Sequence, residues 1–248
     1  MAWNTYNDSW AGDDSAGVTA LIDAYRPDVA VILECGLGGD RHRFSTEGWK
    51  RRLPDYQTNW LGNRFLALDR QTTSVRDDRH RGGPPAPSRD AIDELAIAEA
   101  APLPLPPGGS HRHLRVRVPD AAGTPQTITV VVVHSVSDPL VDRRPIYTEL
   151  ARQIDALAAA GPTILCGDFN LPSDSLFVQP LRRRMRLASE VAPGVRYRPT
   201  WPGFAPVLEL DQVWVSDHFE VTSCESPLTT ASDHQPVVVD LVLRTGPR

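Results

Sequence analysis

The stretch that most constrains this chain is 161–172, Gly-Pro-Thr-Ile-Leu-Cys-Gly-Asp-Phe-Asn-Leu-Pro. Thr163 to Cys166 is a short apolar run without helical period, which predicts a buried strand. Gly167 breaks the run. Asp168 and Asn170 follow at alternate positions, and on extended backbone alternate side chains share a face. A carboxylate and an amide together at the end of a buried strand suit a metal ion, a nucleophilic water and a phosphate oxygen. The duller reading is a tight turn in which both side chains bond only their own backbone. The rest of the chain has to decide between them.

A length of 248 residues accommodates one large α/β domain with a substantial core. Hydrophobic residues at 41% and charged residues at 23% are ordinary for a soluble globular protein. No apolar run approaches the roughly 18 residues of a membrane span. No charged-then-apolar leader opens the chain either. Trp3 arrives so early that the first strand looks cut short, as in a domain trimmed from a longer protein. Cys35, Cys166 and Cys224 lie far apart and read as small buried hydrophobes, not as a disulfide or zinc set. A net charge of −5 argues against tight nucleic-acid binding by bulk electrostatics, though not against a local basic patch.

In chain order, Trp3-Asn4-Thr5 ends a first strand. Ser15 reads as an N-cap before a stripe of Val18, Leu21, Ile22 and Tyr25 at helical spacing. Val29 to Leu33 is continuously apolar, hence a strand covered on both faces, and it delivers Glu34 at its end. Residues 43–53 predict a short helix, and Tyr56 to Asp69 two strands around Gly62-Asn63. Residues 76–111 hold Pro- and Gly-rich runs around a short helical piece near 90–100. They read as a long surface excursion of one domain spanning 1–248, and His111 with the other histidines there as loop residues. His113 to Val118 alternates as a strand. Thr127 to Val133 is a β-branched strand ending at His134-Ser135. Ile146, Leu150, Ile154 and Leu157 predict a helix ended by Gly161. Beyond the central strand, 174–184 reads as helix. Leu210 to Val215 is a strand bearing Asp211, and Ser232-Asp233-His234 precedes a last strand, Pro236 to Leu243.

Trp3-Asn4, Glu34, His134, Gly167-Asp168-Phe169-Asn170 and Ser232-Asp233-His234, in that order, resemble the endonuclease/exonuclease/phosphatase superfamily, the deoxyribonuclease-like enzymes. Thr200-Trp201-Pro202, Leu210-Asp211 and Val213-Trp214-Val215 are similar to a bacterial, often membrane-tethered subgroup. That subgroup usually has His after the aspartate, where this chain has Gln212. The resemblance implies an α/β fold, a four-layer sandwich of two packed mixed β-sheets flanked by helices. It also implies a soluble chain, either a trimmed domain of a membrane-tethered bacterial protein or a cytoplasmic one.

The resemblance further implies roles. Glu34 binds the divalent metal, supported by Asn4, and Asp233 joins the metal or water shell. Asp168 orients or deprotonates the attacking water. Asn170 holds a phosphate oxygen. His234 contacts the phosphate while Asp211 fixes its tautomer, and His134 is a candidate acid for the leaving group. Hard oxygen donors suit Mg²⁺ or Mn²⁺, and imidazoles near neutral pKa give or take protons.

Arg182, Arg183, Arg184, Arg186, Arg196 and Arg198 form a local positive segment. Arg183 and Arg184 are therefore candidate phosphate contacts, and Trp201 a surface to stack a base or cover a lipid chain. The expected reaction is metal-dependent hydrolysis of a phosphodiester, with nucleic acid as the favoured substrate. A lipid, an isoprenoid diphosphate or another small phosphate ester is the alternative. Glu34-Cys35-Gly36-Leu37-Gly38-Gly39 resembles a nucleotide-cofactor turn of the methyltransferase kind, but it lacks the third glycine and leaves the other motifs unexplained. A non-catalytic binding module would not need the retained polar set.

Overall fold

The computed structural model describes residues 1–5, 15–35, 46–61, 65–70, 98–100, 105–106, 109–194 and 197–244. In chain order the elements are β1 (Ala2–Asn4), α1 (Ser15–Tyr25), β2 (Val29–Leu33), α2 (Thr46–Arg52), β3 (Tyr56–Trp60), β4 (Phe65–Arg70), β5 (Ala98–Ala100), β6 (Gly109–Pro119), β7 (Pro125–Ser135), α3 (Arg144–Ala160), β8 (Thr163–Asp168), a 3-10 turn (Gln179–Arg183), β9 (Met185–Leu187), α4 (Ala188–Val191), β10 (Asp211–Ser216), β11 (Phe219–Glu225) and β12 (Val238–Leu243).

One sheet has the order β1-β2-β4-β3, the other β5-β6-β7-β8-β10-β9, and β11-β12 form a ribbon. Both sheets are mixed. β1 runs parallel to β2 and β7 parallel to β8, while the other pairings are antiparallel. The ribbon joins the first sheet through a reciprocal pair: Ala2 N–H donates to Val237 O at 2.9 Å and Val237 N–H to Ala2 O at 2.8 Å.

Apolar faces dictate the layering. In β2, Val31 and Leu33 face inward, where they meet Leu114, Val130, Val132 and Val213 of the second sheet. Ala30 and Ile32 face the other way, onto Val18, Ile22, Trp49 and Leu53 of α1, α2 and the residue after α2. A strand covered on both faces has no polar alternation to show, hence the continuous apolar run. The outer face of the second sheet carries Val131, Val133 and Leu165, and α3 lies on it with Ile146, Tyr147, Leu150 and Ile154. Each such buried aliphatic contributes about 1.5–3 kcal/mol, so these stripes fix four layers: helices, sheet, sheet, helix. Pro145 starts α3, where a missing N–H costs nothing. Its last turn closes where Gly161 N–H donates to Leu157 O at 3.0 Å.

Three expectations change. Residues 174–184 are turns with 3-10 helix only over Gln179–Arg183, because Pro180 has no N–H to give to Leu176 O in a continuous α-helix. Residues 98–100 are not helical but a strand on β6, with Ala98 opposite Arg115. His111 lies in β6 beside His113, buried on the α3 side, not in a loop. β11 is a strand that the sequence reading does not include, although Phe219, Val221 and Cys224 point to its core. The Gly62-Asn63 turn, the Gly36–Gly39 run, Arg196 and most of 76–97 lie outside the described residues. Among the described residues no helix is long and apolar enough to cross a membrane.

Candidate active site

Six segments end at one edge of the sandwich. Register places them: His134 of β7 and Asp211 of β10 both pair with Asp168 of β8, so three adjacent strands carry the three side chains in a row. Close approach of β8 to β7 depends on Gly167, whose φ is +132° and whose Cβ, if present, would stand 2.0 Å from Val133 O. From the other sheet, β1 delivers Asn4 and β2 delivers Glu34. Glu34 (φ +55°) and Asn170 (φ +50°) both have left-handed backbone at the turn where their strands stop. Such conformations cost L-residues energy and persist where surrounding contacts hold them.

Asp168 is the hub. Asn4 Nδ2 donates to its Oδ2 at 2.8 Å, Asn170 Nδ2 to the same oxygen at 3.1 Å, and Asn170 N–H to Oδ1 at 2.8 Å. Burial, and then the negative charge of Asp211, push its carboxyl up to about 6. Asn170 Nδ2 also donates to Ser135 O at 2.9 Å, so both amide hydrogens are engaged within the protein.

A carboxylate–imidazole pair stands on each side. On one side, His134 Nε2 lies 2.7 Å from Glu34 Oε1, and both side chains keep some access to solvent. Burial raises the Glu34 pKa, but the hydrogen bond and charge of His134, then the amide of Asn4 (3.4 Å), outweigh it and leave it lowered. On the other side, His234 Nδ1 lies 2.6 Å from Asp211 Oδ2, with side-chain exposures of only 7% and 0%. Burial works against the charged imidazole there, yet the charge and hydrogen bond of Asp211 win and push His234 up to about 10. It is an imidazolium at neutral pH.

Donor atoms of Glu34, His134 and Asp168 all lie within 4.8 Å of one another, as do those of Asp168, Asp211 and His234. Asp211 Oδ1 is buried without a hydrogen-bond partner. In the first group two carboxylates, Glu34 and Asp168, come this close, and oxygen donors so gathered fit a hard divalent cation. Asp233 belongs to neither group. It lies beside them, half-buried, with its Oδ1 3.5 Å from Ser232 Oγ and its pKa raised by burial.

Arg182, Arg183, Arg184 and Arg186 do not follow Asp168 to this edge. β9 pairs with Trp214–Ser216, three to five residues from Asp211, or about 10–16 Å along the strand. Arg182 is engaged by Glu190 at 2.6 and 2.7 Å and lies over the Trp214 ring. Arg184 meets Asp155 of α3 at 3.3 Å and Arg186 meets Asp217 at 3.1 Å. Arg183 ends the 3-10 turn beside them. The fold thus corrects the expectation that Arg183 and Arg184 line the pocket: a run of like charge in sequence follows a strand edge to the other end of the sheet. Trp201 belongs to a different hairpin, paired with Leu208. Within that hairpin Gly203 N–H donates to Asp233 O.

Several supports were invisible in sequence. Ser232 Oγ donates to Asn4 O at 2.8 Å and accepts from His234 N–H at 3.0 Å. Trp3 Nε1 donates to His234 O at 2.9 Å. Thr200 Oγ1 accepts Asp211 N–H at 3.1 Å. Gln212 Nε2 donates to Leu171 O at 2.8 Å and Glu209 O at 3.0 Å, tying the Asn170 turn to β10. Arg143 is buried, donating to the carbonyls of Asn170, Ser137 and Asp138. Its only sequence signal is a position between Ser137-Asp138 and the start of a helix.

A family model described as "Endonuclease/Exonuclease/phosphatase family" matches residues 1–234. No curated protein sequence matches. Among solved structures, a family protein from Bacteroides thetaiotaomicron superposes with a TM-score of 0.67 at 17% identity, covering 99% of this chain and 97% of that one. A mannosyl-6-phosphatase from the same organism gives 0.64 at 17% identity, covering 98% of each chain. TDP2 of D. rerio, complexed with single strand DNA product, gives 0.64 at 13% identity over 97% of this chain and 96% of that one. At such identities the likeness is one of fold.

Proposed function

This chain belongs to the endonuclease/exonuclease/phosphatase family, whose members hydrolyse phosphoric esters, and on that premise we propose how its own residues divide the work. The observation that carries the reading is Asp168, fixed by three hydrogen bonds between two carboxylate–imidazole pairs.

Glu34, supported by Asn4, would hold Mg²⁺ (or Mn²⁺), and Asp168 and Asp233 are the other carboxylates that could share it. The ion supplies charge neutralisation at the phosphoryl oxygens. Asp168 accepts a proton from the attacking water as its oxygen bonds to phosphorus. Its raised pKa brings it near the range in which a general base works best. His234 donates from Nε2 to a non-bridging phosphate oxygen, and Asp211 keeps the opposite nitrogen protonated and the ring aimed. The ester P–O bond breaks, and His134 gives its proton to the leaving oxygen. Asn170 contacts the phosphate by exchanging Ser135 O for a phosphate oxygen.

Two substrate readings stand. A nucleic-acid phosphodiester draws on the DNA-bound structural neighbour. A lipid or other small phosphate ester is the second reading, and we favour it because, among the described residues, Arg184 and Arg186 lie at the far end of β10. The test is a panel of phosphodiesters and phosphomonoesters, nucleic and lipid, with Mg²⁺ and Mn²⁺, before and after chelation. Turnover that survives excess chelator unchanged would overturn the metal-dependent mechanism.

A further inference from the structure

We propose that Arg143 and Tyr147, one turn apart at the start of α3, are positioning residues for Asn170. They hold the backbone of its turn from behind, so that only its amide moves when a phosphate arrives. This rests on the phosphate contact read for Asn170 above and deepens it.

The turn after β8 is clamped carbonyl by carbonyl. Tyr147 O–H donates to Phe169 O, the Arg143 guanidinium to Asn170 O, and Gln212 Nε2 to Leu171 O at 2.8 Å. Two of its N–H groups are also taken: Phe169 N–H donates to Leu210 O at 2.9 Å and Asn170 N–H to Asp168 Oδ1 at 2.8 Å. The left-handed backbone of Asn170, at φ +50°, needs contacts of this kind to persist. The element behind the clamp is well anchored. Tyr147 N–H donates to Arg143 O at 3.1 Å, and the Tyr147 ring stacks on Phe169 with centroids 6.2 Å apart. Ile146, Leu150 and Ile154 bury the same helix against the sheet.

Arg143 also reaches a second strand end. Its other terminal nitrogen donates to Ser137 O at 3.0 Å and Asp138 O at 3.1 Å, just past the end of β7. One planar fork therefore spans the gap that the Asn170 amide closes, where Nδ2 donates to Ser135 O at 2.9 Å. That is the bond a phosphate oxygen has to replace. If the two ends drifted, the amide would meet the phosphate from the wrong place, and a misplacement of about 1 Å can cost about 10²-fold. The guanidinium is buried, its Nε has no hydrogen-bond partner, and among the described residues its partners are carbonyls. Burying a charge without an opposite one costs free energy that a neutral side chain would avoid. What the guanidinium supplies is a forked shape that joins three carbonyls on two strand ends.

The experiment is a double-variant cycle, read as kcat/KM in saturating Mg²⁺ for the ester of the panel above that turns over fastest, with thermal unfolding of every variant. Arg143→Lys keeps the charge but loses the fork, and should lower kcat/KM about tenfold. Tyr147→Phe keeps the ring stack and loses one donor, and should lower it about threefold. In an Asn170→Ala background each substitution should cost less than about twofold, because the amide they aim is gone. Their shifts in melting temperature should be the same in both backgrounds, because the backbone carbonyls remain. The Mg²⁺ concentration for half activity should not move. Should Arg143→Lys not fold, Tyr147→Phe runs the same cycle. Wild-type turnover in the folded α3 variants, or equal losses with and without the Asn170 amide, would overturn the proposal. So would a raised Mg²⁺ requirement, which would put their effect on the metal ligands. If Asn170→Ala loses activity and neither α3 variant does, the brace alone fails. Wild-type turnover in Asn170→Ala would instead sink the phosphate contact itself, and the brace with it.

Discussion

Glu34–His134 and Asp211–His234 are the same two residue types at almost the same separation, 2.7 and 2.6 Å, yet they are different devices. The first is partly open to solvent. There the imidazole lowers the carboxylate's pKa and keeps it an anion, which suits a cation ligand. The second is dry. There the carboxylate cannot be hydrated, so its whole field falls on one ring, and the ring stays protonated far above its ordinary pKa. Residue identity alone does not distinguish a metal-facing pair from a phosphate-facing one. Access to water does.

The comparison breaks most completely at the residue both pairs share. Asp168→Asn keeps the shape and removes the base, and kcat should fall about 10²–10⁴-fold with KM little changed. A loss under tenfold in a folded protein would take Asp168 out of this role. Next, Asp211→Asn should leave His234 buried with no compensating charge. Wild-type activity should hold until pH rises through about 10, where the imidazolium is lost. In the variant that alkaline limb should move below pH 7, costing about tenfold or more at pH 8, and adding His234→Ala should cost little further. An unmoved limb, or additive losses, would mean the two act separately. Glu34→Gln should behave differently. It should raise the Mg²⁺ concentration needed for half activity about tenfold or more, while the alkaline limb stays in place, and a metal titration at two pH values reads both.

The smallest effect sharpens the comparison from outside the site. His111 is buried beside His113 with no carboxylate, and burial, then the charge of His113, push it down to about 4. With a folded pKa below the unfolded one of about 6.5, the unfolded chain takes up protons first. The contribution is whole above pH 6.5 and drains away between 6.5 and about 4. Thermal unfolding should show this acid loss, on the order of 1 kcal/mol, and His111→Phe should flatten it. An identical pH dependence in the variant would mean that His111 is not buried neutral.

Much of the frame was legible because the strands that build the site are short apolar runs ending in a polar residue. Val29–Leu33 before Glu34 and Thr163–Cys166 before Asp168 announce both the strand and its cargo. What was illegible depends on register. Nothing local says that β9 pairs near Ser216 and not near Asp211, so Arg183 and Arg184 looked close to the pocket on sequence proximity alone. Arg143 was invisible for a related reason: a buried guanidinium that binds only carbonyls has no partner residue to betray it. Asn170 shows a third limit. Its place was evident, but that both its amide hydrogens are already given to Asp168 and Ser135 only the three-dimensional contacts reveal.

The bond from Ser232 Oγ to Asn4 O, with that from Trp3 Nε1 to His234 O, spans nearly the whole chain. Asn4 is made early and His234 late, and neither is in place without the other. Contacts so distant in sequence form slowly and late in folding. A growing polypeptide would therefore carry Glu34, then His134 and Asp168, without an assembled centre until His234 has been added. Hydrolytic competence would arrive as a single event, once the last strand closes against the first. Any lesion that frays that closure should silence the enzyme before it unfolds it.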